Sequence, residues 1–332
     1  MTDDPVRLPG VDPRPRFPIG WFMIAATEEI ESGGLVERTF LGQPVVAFRT
    51  ESGRAAVVSA FCPHLGANLA RGGKVMGESL RCPFHSLRWG VDGGCVGSEY
   101  PGNPSYSGRL RAYPTIERFG FIFAWHDPTG GHPVFDIPDL DLEGWTIPQV
   151  TTLPIKAHVE TIHENGVDTV HFGIVHGFFL SDPAYDDRGT SFHSEFQFAT
   201  PNFLRMGPAE ITTFFDTDTY GLGYAHSLNT AEAVGLRYRV LLLTTPTILD
   251  STDFTIVTTV QRPESGDLIG GVRVDEVADF MHRGALGGVK QDIPIWEGLR
   301  YVENPRLVKG DGPIPRLRHW ARQFHPPQEQ GT

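Results

Sequence analysis

Two short turns constrain this chain more than any other part of it. They are Cys62-Pro-His64 and, seventeen residues further on, Cys82-Pro-Phe-His85. Two cysteines and two histidines can hold zinc, but zinc sites usually pair like with like. One cysteine and one histidine in each half, with unequal gaps, read instead as a Rieske [2Fe–2S] site, where two thiolates hold one iron and two imidazoles the other. Pro63 and Pro83 fix φ and stiffen both turns. Gly66, Gly72, Gly73 and Gly77 let the loops wrap close to an inorganic core. The neutral imidazoles replace two anions, which raises the potential above that of an all-cysteine cluster.

The remaining cysteine, Cys95, follows Asp92-Gly-Gly94 and reads as a small residue behind a tight turn rather than a third thiolate. Three cysteines are not a disulfide framework and fit a reducing compartment. The start, Met1-Thr-Asp-Asp4, lacks the basic and apolar segments of a signal peptide, and no run is long enough to span a membrane, so a soluble cytoplasmic protein is expected. A net charge of −12 argues against nucleic acid as the main partner.

With 332 residues, two domains are expected. Residues 1–16 read as an irregular arm. Short apolar or alternating runs follow: Gly20–Ile24, Gly34–Leu41, Pro44–Arg49, Ala55–Ala60, Leu80–Arg81, Leu87–Trp89 and Ile116–Trp125. They predict an all-β domain over 17–130. Asp127–Pro133, dense in Gly and Pro, marks a junction. Beyond it, 131–332 reads as α+β. Strands are expected at 151–156, 192–199, 209–217, 236–244 and 254–262, and helices at 158–175, 275–283 and 291–301.

The first of these helices carries Asn165, Asp168, His171 and His176. Two histidines with a carboxylate are the donor set of mononuclear non-haem iron sites with open positions. Asp168 and His171 share a helix face. His171 and His176 do not: five residues apart, they point about 140° away from each other in a straight α-helix. Both reach one metal only if the helix bulges, and Gly173 permits a π-type turn there. His158 and His163 read as structural. Phe178–Leu180 and Phe214–Phe215 are candidate walls for an apolar pocket, or core.

With both motifs in this order, the chain resembles the oxygenase subunit of the Rieske non-haem iron oxygenases over nearly its whole length. The resemblance implies an N-terminal all-β Rieske domain followed by an α+β catalytic domain, an antiparallel sheet with helices of helix-grip type. It implies Cys62 and Cys82 on the inner iron of a [2Fe–2S] cluster and His64 and His85 on the outer. It implies His171, His176 and a downstream carboxylate on a mononuclear Fe(II). Asp292 is the best match, in Gln291-Asp-Ile-Pro-Ile-Trp296, opening a helix with Pro294 in its first turn. Asp275 and Asp279 are rivals, and a bare helix cap is the plain alternative for Asp292. Asp168 matches the acidic residue that bridges a cluster histidine to an iron histidine across a subunit boundary, and Asn165 lies beside the iron ligands.

More narrowly, Cys62–Ala70, Gly72–Val75, Glu164-Asn165 and Arg318–Phe324 are similar to the steroid branch of that family, the 3-ketosteroid 9α-hydroxylase oxygenases and cholesterol 7-desaturases. Ser86-Leu87 departs from the branch, which often has a small residue and then Trp, and 180–290 carries no matching motif. The expected function is oxidation of a steroid-like apolar molecule by O2. An aromatic-ring dioxygenase, an O-demethylase or a bare Rieske electron carrier are the alternatives. No Gly-rich dinucleotide fingerprint is present, so a separate flavin or iron–sulfur reductase or a ferredoxin is expected as electron donor. Arg71, Lys74, Arg81 and Arg88 are a candidate docking patch for it. A head-to-tail homotrimer follows from the resemblance.

Overall fold

A computed structural model describes residues 14, 17–99, 106–248, 251–264 and 266–326. The arm expected at 1–16 lies outside the described residues except for Arg14. No described helix is long and apolar enough to cross a membrane.

The N-terminal unit is built of short antiparallel strands: β1 (Gly20–Ala26), β2 (Leu35–Phe40), β3 (Gln43–Arg49), β4 (Ala55–Ser59), β5 (Lys74–Met76), β6 (Ser79–Arg81), β7 (Leu87–Gly90), β8 (Cys95–Ser98), β9 (Ala112–Tyr113), β10 (Thr115–Arg118) and β11 (Phe121–His126). They form three small sheets, β2-β3-β4-β9, β5-β6-β7-β8 and β1-β11-β10. The apolar run 116–125 is a hairpin rather than one strand, because Phe119 and Gly120 both take positive φ and reverse the chain. Inward-facing Val46, Phe48, Val58, Leu69, Leu80 and Trp89 close a core directly beneath Cys62 and Cys82.

The second unit is one seven-stranded antiparallel sheet. Its strands are β12 (Gln149–Ile155), β13 (Ser181–Arg188), β14 (Ser191–Pro201), β15 (Glu210–Tyr220), β16 (Tyr224–Ala231), β17 (Leu236–Pro246) and β18 (Thr252–Val260), in the order β12-β18-β17-β16-β15-β14-β13. Strands β13 and β16 were not expected. Ser181–Arg188 is almost wholly polar and exposed, and β16 carries His226, Ser227 and Asn229 among its apolar residues, so neither shows a simple alternation. One face of the sheet packs on the N-terminal unit. Trp21, Phe123 and Trp125 meet Tyr224, Leu241, Leu243 and Val257 there, and a Cβ on Gly223 would lie 2.0 Å from the Trp21 carbonyl oxygen.

The other face carries helices α1 (Val159–Asn165), α2 (Thr169–His171), α3 (Val274–Gly298) and α4 (Ile314–Ala321). The two helices expected at 275–283 and 291–301 are one helix, α3, of 25 residues. The helix runs through Gly284, Gly287, Gly288 and Pro294, because Val277, Ala278, Met281, Ala285, Leu286, Val289, Ile293 and Trp296 keep an unbroken apolar stripe at helical spacing. Burial of that stripe overrides local propensity. His282, midway along, is held by Thr151 and Thr258, each 2.8 Å away.

Candidate metal centres

The two cluster turns are built alike. Gly66 N–H donates to the Cys62 carbonyl (2.9 Å) and Ser86 N–H to the Cys82 carbonyl (3.2 Å). Cys62 N–H reaches Ala67 O and Cys82 N–H reaches Leu87 O, at 2.9 and 2.8 Å. Gly66 and Ser86 thus occupy the same place in their turns, and both have positive φ, 76° and 59°. That backbone favours glycine, which explains why a small residue is usual after the second histidine. Ser86 holds it with its hydroxyl accepting from Arg81 Nη2 at 2.7 Å.

These turns bring the four expected ligands together. Cys62 and Cys82 are both buried, and the His64 and His85 rings lie 4.8 Å apart. Burial above all, with Cys82 adding to it, pushes the Cys62 thiol up to about 11. His64 Nδ1 is buried without a hydrogen-bond partner. Two buried thiols facing each other and an orphaned imidazole nitrogen fit an iron–sulfur cluster, whose positive irons would make the thiolates affordable. Cys95 is half-buried on β8, its thiol 3.6 Å from Gly97 O, behind the turn that Asp92 makes. Of the candidate docking cations, Arg71 pairs with Glu37 (3.1 Å) and Arg81 with Glu99 (2.8 Å).

The second centre lies between α1, α2 and α3. The helical run expected at 158–175 is interrupted: α1 ends at Asn165, and Asp168 caps α2 by accepting from the Val170 and His171 amides. The chain then makes one π-helical turn, Phe172–His176, closed by Gly177 at φ 81°. A Cβ on Gly173 would fall 2.2 Å from the ring of Phe179, an exposed side chain that would have to swing aside. The π turn swings His176 round to His171, and their ring centroids are 5.1 Å apart.

Asp292 arrives from α3. It does not open a helix or cap one; it sits within α3, 4% exposed, and its neighbour Pro294 is likewise internal. Donor atoms of His171, His176 and Asp292 all lie within 4.8 Å of one another. The rivals are elsewhere: Asp275 pairs with Arg262 and Asp279 accepts from Gln149, and Asp279 is thirteen residues, about 20 Å of helix, from Asp292.

The hydrogen bonds around this trio set both imidazole tautomers. His171 Nδ1–H donates to the main-chain carbonyl of Asp168 (2.5 Å) and His176 Nδ1–H to Gln291 Oε1 (2.8 Å). Each ring therefore offers its Nε2 lone pair inward. Burial lowers the His171 pKa, which keeps that nitrogen unprotonated. Asn165 Nδ2 donates to His171 Nε2 (3.0 Å) and to Asp292 Oδ2 (3.3 Å). Asp292 Oδ1 is buried without a hydrogen bond, and its approach to His176 Nε2, 3.3 Å, lacks hydrogen-bond geometry. Burial pushes the Asp292 carboxyl up to about 6. An orphaned buried carboxylate oxygen facing two imidazole lone pairs fits a divalent metal.

Two details were not expected. Asp168 holds His171 Nδ1 through its main-chain carbonyl while its carboxylate caps α2. Gln291, quoted above only as part of a motif, fixes His176; nothing local in the sequence signals this. His158 caps α1, and His163 bonds Leu222 O and Thr244 Oγ1, both structural as read. Phe178 and Phe215 belong to an aromatic wall beside the site: Phe178 stacks on His176 (5.7 Å) and Phe198 (4.0 Å), and Phe198 on Phe215 (4.7 Å). Phe179 is largely exposed and Phe214 partly so. Two surface clefts, of about 240 Å³ beside Phe280 and about 460 Å³ beside Trp21 and Phe135, contain no residue of the trio.

A cysteine–histidine cluster site and a two-histidine, one-carboxylate site on a separate sheet define a Rieske-type oxygenase, an oxidoreductase with a [2Fe–2S] domain and a mononuclear iron domain. Residues 20–114 match the Rieske [2Fe-2S] domain and 124–325 the 3-Ketosteroid 9alpha-hydroxylase C-terminal domain, and the chain belongs to that family. A Rhodococcus rhodochrous relative, the 3-ketosteroid-9-alpha-monooxygenase oxygenase component, is 29% identical across 98% of this chain and 88% of its own. The Cholesterol 7-desaturase of Bombyx mori is 29% identical across 94% and 70%. Dicamba monooxygenase bound to dicamba shares the fold, with a TM-score of 0.71 over 92% of this chain and 96% of that one, at 19% identity.

Proposed function

We propose that this chain is the oxygenase component of a multicomponent monooxygenase that hydroxylates or desaturates a steroid or a related polycyclic terpenoid. The observation that carries the reading is the trio itself: His171, His176 and the orphaned Asp292 oxygen converge beside a wall of phenylalanines. In that reading Cys62, His64, Cys82 and His85 hold the cluster, and His171, His176 and Asp292 hold the iron. The cluster would supply electrons and the iron would activate O2. The chain's own part is geometric. Asp168 O and Gln291 fix the imidazoles, Asn165 holds Asp292 by its other oxygen, Oδ2, and Phe178, Phe198 and Phe215 give a substrate an apolar surface and exclude water. A bare electron carrier has no use for such a trio.

The donor is a flavin or iron–sulfur reductase, or a ferredoxin. The assembly proposed is a head-to-tail homotrimer, in which Asp168 bridges His171 to the His85 of a neighbouring copy. Exposed Phe61, Leu65 and Phe84 around the cluster turns, and exposed Val170, Ile174 and Val308 near α2, support such a contact.

A single-turnover experiment tests the function without the native reductase. The protein is reduced chemically under nitrogen, its Rieske EPR signal is recorded, and oxygen is added with a panel of 3-ketosteroids, sterols and aromatic acids. A steroid gaining one oxygen or losing two hydrogens, in an amount near the mononuclear iron content, is expected. Turnover of an aromatic acid alone would overturn the substrate class.

A further inference from the structure

A second group of metal-binding side chains lies away from the iron trio. It centres on His193 of β14, which is 5% exposed. His193 Nδ1 lies 2.9 Å from Asp218 Oδ1 and 3.7 Å from Asp216 Oδ1, both on β15, and its Nε2 lies 2.9 Å from Glu195 Oε1. One donor atom from each of His193, Asp216 and Asp218 falls within 4.8 Å of the other two.

The register explains the convergence. His193, Asp218 and His226 are successive cross-strand partners on β14, β15 and β16, and Glu195 pairs with Asp216 two residues along. Residues two apart share a face, so all five side chains stand on one face of the sheet. Phe196, Phe198 and Phe215 stand on the other, in the aromatic wall. The group is therefore separate from the iron site.

Three features point to a cation. The first is charge: Asp216, Asp218 and Glu195 surround one imidazole. Among the described residues one guanidinium, that of Arg188, pairs with them, 3.4 Å from Asp218, and its Nε turns instead to Asp186. The second is spacing. Two donors each about 2.0–2.2 Å from a tetrahedral ion stand roughly 3.3–3.5 Å apart, and the two Nδ1 separations bracket that value. At 3.7 Å Asp216 is too far for a hydrogen bond to explain its place. The third is His226, directly opposite Asp218, whose Nε2 is buried without a partner. An unmet buried nitrogen destabilises the fold, and this one is available as a further donor to an ion.

We propose that His193 Nδ1, Asp216 and Asp218 bind a divalent cation, zinc in preference to magnesium or calcium, and that the ion clips β14 to β15. An imidazole among carboxylates favours zinc over ions that take oxygen donors alone. Glu195 accepts from Nε2–H and holds the tautomer whose Nδ1 lone pair faces the two aspartates. Zinc has no redox chemistry, so the ion's part is to fix the strands whose opposite face carries the phenylalanines. The inference is independent of the substrate reading.

The test is equilibrium dialysis of the full-length protein, with cluster and mononuclear iron loaded, against zinc alone, with both metals counted. One zinc per chain with all iron retained is expected, and the melting temperature rises with zinc concentration. Asp216 is 43% exposed, so Asp216→Asn should fold. It should bind zinc at least about 100-fold more weakly, since loss of an outer partner alone weakens a site by about 10- to 100-fold. Asp187 pairs with Phe192 and stands on the opposite face, so Asp187→Asn removes the same charge nearby and should bind zinc as the native protein does. Equal loss in both variants overturns the proposal, because diffuse charge would then account for the binding. Unchanged affinity in Asp216→Asn overturns it too, as does zinc that enters only as iron leaves. Should Asp216→Asn fail to fold, a hundredfold excess of magnesium decides on the native protein: zinc held by the imidazole stays, and zinc that is displaced refutes the site.

Discussion

Gln291 touches neither a substrate nor a proposed metal, yet replacing it should cost the iron. Its Oε1 accepts from His176 Nδ1–H at 2.8 Å, and that bond holds the tautomer whose Nε2 faces Asp292. In Gln291→Leu the ring is free to rotate and to shift its proton to Nε2, which removes one of three ligands for part of the time. Loss of such an outer partner typically weakens metal affinity by about 10- to 100-fold, or roughly 1.4 to 2.7 kcal/mol. Gln291→Glu replaces the acceptor with a stronger one and should bind iron as tightly as the native protein or more so. The assay is Fe(II) titration of protein stripped of mononuclear iron with its cluster intact, the cluster being followed by its visible absorbance. Native affinity in Gln291→Leu would refute the reasoning, because His176 would then be held by something other than this bond. Loss of the cluster in the same variant would refute it too, since the effect would be global.

Further outcomes follow from the same geometry. Asp168→Asn should retain iron, since the bond to His171 comes from the main chain and Asn also caps helices, while re-oxidation of the reduced cluster under O2 and substrate slows; loss of iron would count against this. Arg318→Ala should lower stability by on the order of 2 kcal/mol in denaturant melts, because it leaves Glu164, whose carboxylate it grips at 2.8 and 2.9 Å in a largely buried pair joining α4 to α1, with only the more distant Arg14 at 3.9 Å; a shift under 1 kcal/mol contradicts it. His126 is buried, and burial lowers its pKa to about 4. The unfolded chain takes up that proton near 6.5, so the stability His126 contributes is complete above about pH 6.5 and falls as pH drops toward 4, by on the order of 3 kcal/mol. His126→Gln should flatten that part of the pH–stability curve, and an unchanged slope would show that other groups produce it.

How much of this could be seen beforehand depended on how local the determinants are. The cluster ligands come in two turns of three or four residues, so spacing alone exposed them. The π turn was legible because a five-residue gap between two ligands is incompatible with a straight α-helix. Asp292 was reached through resemblance, and its setting was misread. Two helices were expected, at 275–283 and 291–301 with Pro294 in the first turn of the second, whereas the stripe through Val277, Leu286 and Trp296 carries one helix across the gap. Gln291 was invisible as a functional residue. It matters through one hydrogen bond to His176, made across 115 residues of chain, and nothing in a short window reports that. Strand β13, polar on both faces, was missed for the related reason that it is held by pairing along β14 rather than by burial.

Helix α3 is a single rod, and this decides what holds the carboxylate of the metal trio in place. Val277 and Ala278 near one end and Ile293 and Trp296 near the other are packed into the core, and His282 is bound by two threonines between them. Gln291 and Asp292 therefore stand on a helix anchored along its whole length. Had the chain formed the two expected helices with a joint at 284–290, the second alone would fix where the carboxylate sits.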